Sequence, residues 1–198
     1  MTMQSKTRKL SVTALLGAVA SVLMFFEFSV PFMPSFIAMD ISELPALLAA
    51  YSLGPVSGAT VCLIKNLFSA LFHGTTGGVG ELSNFLLGVS FVVPAGLLYR
   101  FKKNRRMAFI GALVGAVCMA LISLPINYFV TYPMYIRVYG MPLEAILGMY
   151  NAILPGTDSL LKALVIFNIP FNLFKGIVDV ALTFLIYKPL SPVLHGRR

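Results

Sequence analysis

Residues 160–187 read LLKALVIFNIPFNLFKGIVDVALTFLIY and give the clearest indication of the fold. The run is mostly apolar and exceeds the roughly 20 residues that a helix needs to cross a lipid bilayer. Four polar residues near its centre follow helical spacing and share one face: Asn168, Asn172, Lys175 and Asp179. Hydrocarbon supplies no hydrogen bonds, so such a face must turn toward protein or a cavity. The stretch therefore predicts a membrane-spanning helix with a buried polar side.

The composition of the whole chain extends this interpretation beyond one helix. Of 198 residues, 58% are hydrophobic and 11% are charged, whereas soluble domains have about 45–50% apolar and 25% charged residues. We therefore predict an all-α, polytopic membrane protein that forms a single integral membrane domain over residues 1–198. The apolar runs predict six transmembrane helices at about residues 10–30, 40–53, 55–72, 81–99, 107–135 and 160–187.

The basic residues define the expected orientation in the membrane. Eleven of the fifteen lysines and arginines fall in three segments: Lys6, Arg8 and Lys9; Arg100, Lys102, Lys103, Arg105 and Arg106; and Lys188, Arg197 and Arg198. Such clusters favour the cytoplasmic side, so both chain termini are expected inside. A nucleic-acid-binding protein would gather these charges on one solvent-facing surface. Because apolar runs separate the clusters, the net charge of +8 does not indicate nucleic acid.

Polar residues recur in other predicted helices and indicate a shared interior site. Asn127 in the fifth helix has a hydroxyl residue four positions away on either side, and Asn84 lies one turn into the fourth helix. Asp40 and Glu43 open the second helix just after a proline-rich loop. These two carboxylates could form a capping box at the helix start or contact a ligand, and one residue could do both.

Two lysines lie within predicted spans, where an uncompensated charge costs about 2.5–3.5 kcal/mol. Lys175 could pair with Asp179 one turn away and form a structural seam between helices. Alternatively, Lys175 lines a pocket together with Asn168 and Asn172, whose amides offer both donors and acceptors. Lys65 could pair with a carboxylate on another helix or line the same cavity.

The sequence contains no motif for catalysis, nucleotide binding or metal binding. HExxH, GxSxG, GxGxxG and CxxC are all absent, so we expect no enzyme, no catalytic residues, no cofactor and no metal. Cys62 and Cys118 lie inside apolar runs and are interpreted as small core residues. Any active transport would need an ion gradient or a partner that hydrolyses ATP.

Several short segments carry a family resemblance. They are Met39–Pro45, Gly54–Gly58, Lys65–Leu67, Ser83–Leu86, Asn127–Phe129 and Pro170–Gly176. In their order and spacing, and over most of its length, the chain resembles the riboflavin-specific S components, the substrate-binding membrane subunits of energy-coupling factor (ECF) transporters.

This resemblance implies a fold, a substrate and partners. It implies six helices in the cell membrane that capture riboflavin from outside as a substrate rather than a cofactor. It also implies a complex with a membrane-embedded coupling (T) subunit and two cytoplasmic ATPases. The implied substrate-binding residues are Asn127, Asn172 and Lys175, then Asp40, Glu43 and Asn84, with Met39, Lys65 and Asn168 as further candidates.

The first helix presents small residues on one surface. Ala14 and Ala18 form a small-xxx-small pattern that allows a close helix–helix approach. The resemblance implies that they dock on the coupling subunit, whereas packing inside the chain is the alternative. For the whole protein, the rival functions are an S component for another small vitamin and a stand-alone ion-coupled carrier that uses Lys175 and Asp179.

Overall fold

The computed structural model describes residues 3–34, 37–72 and 77–195, and these residues are almost entirely helical. The helices are α1 Met3–Met24, α2 Glu43–Ser52, α3 Pro55–Phe72, α4 Val79–Phe101, α5 Arg105–Ile126, α6 Tyr132–Tyr139, α7 Leu143–Ile153, α8 Leu160–Ala163 and α9 Ile169–His195. Two π-helical turns, Asn127–Thr131 and Leu164–Asn168, make α5 to α6 and α8 to α9 continuous. Two short strands, β1 Phe28–Ser29 and β2 Ala38–Met39, pair antiparallel.

Five helical segments of the described chain are long and apolar enough to cross a membrane. They are Lys6–Met24, Pro55–Phe72, Val79–Phe101, Arg105–Val138 and Leu160–Ile186. The predicted helix at 40–53 is the ten-residue α2, in which nine residues are buried. Ten helical residues span only about 15 Å, half the hydrocarbon thickness of about 30 Å. The all-helical membrane fold is confirmed, whereas the count of six spans is not.

Two predicted boundaries differ from the structure on the side of the molecule opposite the basic clusters. The first helix ends at Met24 rather than near residue 30, because the chain turns into the β1–β2 hairpin, in which Phe28 pairs with Met39. The segment between the fifth and sixth predicted helices, residues 136–159, contains the whole of α7. Gly140, with φ of +64°, ends α6, and Pro142 precedes the first residue of α7.

The helices pack closely around α2 and α5. A Cβ on Gly115 of α5 would lie 2.3 Å from the backbone oxygen of Phe91 on α4, and one on Gly176 of α9 would lie 2.7 Å from Cβ of Ala116. The core between these elements is built from small and apolar side chains, including the fully buried Cys62. This tight contact fixes the positions of α4, α5 and α9, which carry the polar residues described below.

The small residues of α1 divide between two faces. Ala14 and Ala18 are exposed, whereas Gly17 and Ser21 face the protein, where Gly17 lies against Ile64. At the other end of the chain, Arg197 and Arg198 of the predicted C-terminal basic cluster lie outside the described residues, so the predicted orientation in the membrane stays a prediction.

Candidate ligand-binding site

A cavity of about 410 Å³ lies among the ends of the membrane helices. Its walls come from α3, α4, α6, α7, α9 and the two π-helical turns, and residues around β2 contribute one edge. The volume falls in the range of about 300–1,000 Å³ that is typical of small-molecule sites. Apolar and aromatic side chains such as Leu87, Tyr132 and Phe171 alternate in the wall with amides and charged groups.

The predicted site residues divide into those that line this cavity and those that do not. Six of them line it: Asp40, Asn84, Asn127, Asn168, Asn172 and Lys175. Three do not: Met39, Glu43 and Lys65, which are all buried in the protein. Residues 160–187 therefore bring three of the four polar residues of their predicted face to one cavity, and Asp179 lies deeper in the helix packing.

The amides at the cavity are oriented by their own hydrogen bonds. Nδ2 of Asn172 donates one hydrogen to the backbone oxygen of Asn168 at 2.8 Å, which leaves Oδ1 able to accept from a ligand. Oδ1 of Asn127 accepts from the hydroxyl of Ser83 at 3.3 Å, which leaves its amino group able to donate to a ligand. One acceptor and one donor are thus presented from different helices.

A buried network of charges lies directly beside the cavity. Nζ of Lys175 is 2.8 Å from Oδ2 of Asp40 and 3.3 Å from Oε2 of Glu43. Nζ of Lys65 is 2.6 Å from Oε1 of Glu43 and also donates to the hydroxyl of Ser42. Glu43 therefore joins the two ammonium groups. Charges this deeply buried are tolerated only when they are paired and hydrogen-bonded.

This network corrects two of the sequence interpretations. The structural seam between Lys175 and Asp179 does not form, because Lys175 pairs with Asp40, which follows β2, and with Glu43, the first residue of α2. Neither carboxylate oxygen of Asp179 has a hydrogen-bond partner in the described part of the chain. The capping box is also wrong. Ser42 is the N-cap of α2 and its side chain makes no cap bond, while Oδ1 of Asp40 accepts from the backbone nitrogen of Ser42 at 2.8 Å. Both carboxylates instead form ion pairs with lysines.

Sequence reasoning missed several polar groups of the site. The cavity is also lined by Glu27, Ser69, Glu81, Tyr132 and Tyr135, and one further group lies behind the wall. The hydroxyl of Tyr150 on α7 donates to Oδ1 of Asn168 at 2.9 Å, and it is also bonded to the hydroxyl of Tyr132. Burial raises the pKa of Tyr150 to about 12, so its hydroxyl stays neutral and keeps its proton. A helical period in 143–153 could have indicated α7, but no sequence signal connects Tyr150 to Asn168.

These features define a class of protein: a membrane-embedded binding protein with one polar, partly aromatic cavity. No group of three or more His, Cys, Asp or Glu residues able to hold a metal occurs in residues 3–34, 37–72 and 77–195. The cavity presents amide, hydroxyl and charged groups beside apolar and aromatic side chains, a combination typical of small-molecule binding sites.

Comparison with known proteins assigns the family within that class. The model of the family described as ECF transporter, substrate-specific component, matches residues 8–187. The chain belongs to this family. Its members are substrate-binding membrane subunits of transporters, so the predictions of S-component membership and of a protein that is not an enzyme are confirmed.

Individual relatives agree with this assignment over their full lengths. The riboflavin transporter RibU of Staphylococcus aureus is 33% identical over 96% of this chain and 93% of its own. The riboflavin transporter FmnP of Bacillus subtilis is 31% identical over 98% and 97%. A solved S component of a bacterial ECF transporter superposes with a TM-score of 0.75 at 32% identity, covering 98% of this chain and 99% of that one. Neither a stand-alone carrier nor an enzyme is favoured.

Proposed function

We propose that this chain binds riboflavin in the cavity described above and serves as the substrate-capturing subunit of an ECF-type vitamin transporter. The main observation that supports this proposal is the cavity itself. Asn127, Asn168 and Asn172 line it beside the Lys175–Asp40 ion pair, inside a membrane protein. Full-length relatives named riboflavin transporters support the same substrate.

The chemistry of riboflavin fits these groups. Its flat ring system is largely apolar and carries an imide edge with two carbonyl acceptors and one N–H donor. Oδ1 of Asn172 can accept from such an N–H, and the amino group of Asn127 can donate to a neighbouring carbonyl. Phe171, Tyr132 and Leu87 supply apolar surface for the ring faces. The ribityl hydroxyls can bond carboxylates and hydroxyls at the cavity wall.

The predicted site residues take two kinds of role in this proposal. Asp40, Asn84, Asn127, Asn168, Asn172 and Lys175 contact the substrate. Glu43 and Lys65 do not contact the substrate. Glu43 pairs with both Lys65 and Lys175 and thereby holds the ammonium group of Lys175 in place at the cavity. Met39 pairs with Phe28 in the hairpin and positions the neighbouring Asp40 at the edge of the cavity.

Transport inward requires partners, which we place at the exposed face of α1. The chain captures riboflavin outside the cell membrane, and a membrane-embedded coupling subunit with two cytoplasmic ATPases supplies the energy. Ala14 and Ala18 are exposed on α1, where small side chains permit close approach of a partner helix. No resident cofactor takes part, since riboflavin is the cargo.

The test is to purify the chain from cells supplied with riboflavin and record its visible absorption spectrum. A flavin spectrum is expected for the native protein and is expected to be strongly reduced in Asn172→Leu. The matched control is Asn66→Leu: Asn66 is equally buried, and its Nδ2 donates to the backbone oxygen of Cys62 at 2.8 Å, as Asn172 does to Asn168. Asn66 does not line the cavity.

The two variants separate a binding role from a folding role. Equal loss of flavin in both would show that a buried amide, not the cavity, is what matters. A colourless native protein that also fails to quench the fluorescence of added riboflavin would contradict the proposed substrate.

A further inference from the structure

The two π-helical turns and α7 meet at a chain of three polar side chains. Tyr132 directly follows the first π-helical turn, Asn168 ends the second, and Tyr150 lies on α7 between them. The hydroxyls of Tyr132 and Tyr150 are bonded to each other, and the hydroxyl of Tyr150 donates to Oδ1 of Asn168 at 2.9 Å. Tyr132 and Asn168 line the cavity, whereas Tyr150 lies behind them.

Counting protons fixes the direction of this chain. A neutral tyrosine has one hydroxyl proton, and that of Tyr150 is used toward Oδ1 of Asn168. The proton between the two tyrosines must therefore come from Tyr132, which donates to the oxygen of Tyr150. This bond engages one lone pair of Oδ1 and holds that oxygen toward Tyr150, which leaves the amino group of Asn168 able to donate to a ligand.

The hydroxyl of Tyr150 has no packing requirement of its own. The side chain is fully buried among apolar residues, and its ring lies 5.1 Å from that of Phe167. A phenylalanine would fill the same space without placing a hydroxyl in an apolar cluster, where an unbonded polar group is unfavourable. The hydroxyl instead links Tyr132 to Asn168 and thereby orients the amide of Asn168.

We infer that Tyr150 is a positioning residue for substrate recognition. It holds Asn168 with the amino group toward the cavity, so that the site selects a ligand that carries a hydrogen-bond acceptor at this point. Ile146, one helical turn before Tyr150, lines the cavity, so the same contact makes α7 part of the binding site. This inference rests on the proposed function, since it concerns how the same cavity recognises riboflavin.

The test is riboflavin titration of the purified full chain, followed by flavin fluorescence quenching. Tyr150→Phe leaves the amide of Asn168 unrestrained and is expected to weaken binding roughly ten-fold. Tyr51→Phe is the matched control, because Tyr51 is also buried and donates to the backbone oxygen of Ala108 at 2.7 Å, away from the cavity. It is expected to bind as the native chain does.

A second pair of variants tests whether Tyr150 acts through Asn168. In an Asn168→Leu background, adding Tyr150→Phe is expected to cause no further loss of affinity. Asn168→Asp offers only acceptors and is expected to bind as poorly as Asn168→Leu. This single variant keeps the inference testable if Tyr150→Phe does not fold.

The outcomes distinguish this inference from the proposed function. A native chain that binds no riboflavin removes the proposed function itself. A native chain that binds, with Tyr150→Phe equal to Tyr51→Phe, overturns only the positioning role. Retained binding by Asn168→Asp would overturn the assigned amide orientation. Equal losses from Tyr150→Phe in both backgrounds would show that Tyr150 does not act through Asn168 and would overturn the positioning role.

Discussion

Replacing Lys65 with methionine tests the buried charge network most sharply. Lys65 is 0% exposed, and its ammonium lies 2.6 Å from Oε1 of Glu43, which is 1% exposed. The substitution keeps the volume and removes the charge, so that Oε1 of Glu43 loses its nearest cation. The other oxygen of Glu43 retains Lys175 at 3.3 Å.

The expected cost follows from that remaining contact. Removing one partner of a buried ion pair costs about 3–5 kcal/mol, and the residual attraction of Lys175 places Lys65→Met near the lower end, at about 3 kcal/mol. The apparent melting temperature should fall by roughly 6–12 °C for a chain of this size. Thermal unfolding can be followed in detergent by a thiol-reactive fluorogenic dye, because Cys62 is fully buried until the fold opens. A Cys118→Ser background removes the partly exposed second thiol.

The control and the rescue make this prediction refutable. Lys162→Met removes an exposed lysine that lies 3.5 Å from Asp158, and it should change stability by less than about 1 kcal/mol. Lys65→Met combined with Glu43→Gln removes both charges and should be more stable than Lys65→Met alone. The reasoning is refuted if Lys65→Met melts like the native chain, or if the double variant is less stable than the single one.

Three further predictions address other parts of the molecule. Asp179→Asn should leave thermal stability and riboflavin affinity nearly unchanged, because neither carboxylate oxygen has a hydrogen-bond partner to lose among the described residues; a large drop in either quantity would contradict this expectation. Gly115→Ala should destabilise the fold by about 1–3 kcal/mol, since a Cβ would lie 2.3 Å from the backbone oxygen of Phe91. Gly148→Ala, with nothing within 4 Å of its Cβ, is the comparison in the same melting assay and should not destabilise the fold. Ala18→Leu should leave riboflavin binding intact and reduce uptake by cells that contain the whole transporter; unchanged uptake would argue against α1 as the docking face.

The polar face of residues 160–187 was predictable because it depends on local periodicity alone. Spacings of three and four residues on an apolar background place Asn168, Asn172 and Lys175 together in any helix, and the structure brings all three to the cavity. The partner of Lys175 was not predictable in this way. Asp40 lies 135 positions away in sequence, and only the packing of α2 against α9 brings it nearer than Asp179.

Other features escaped prediction for different physical reasons. The apolar character of the run at 40–53 indicated a span, although the run is shorter than the roughly 20 residues of an ideal crossing. The run forms a short helix enclosed by its neighbours, a property of tertiary packing rather than of hydropathy. Each π-helical turn adds a residue to its helix. The backbone N–H of Tyr132 donates to the backbone oxygen of Asn127, and the backbone N–H of Ile169 donates to that of Leu164. A regular helical period does not indicate such a turn.

A structure of the chain purified with riboflavin would test the central claim most directly. We predict one flavin inside the cavity, with its imide edge within hydrogen-bonding distance of Asn127, Asn168 and Asn172 and its ring against Phe171. A flavin bound outside the helix bundle, or inside the cavity with its imide edge turned away from all three amides, would contradict it.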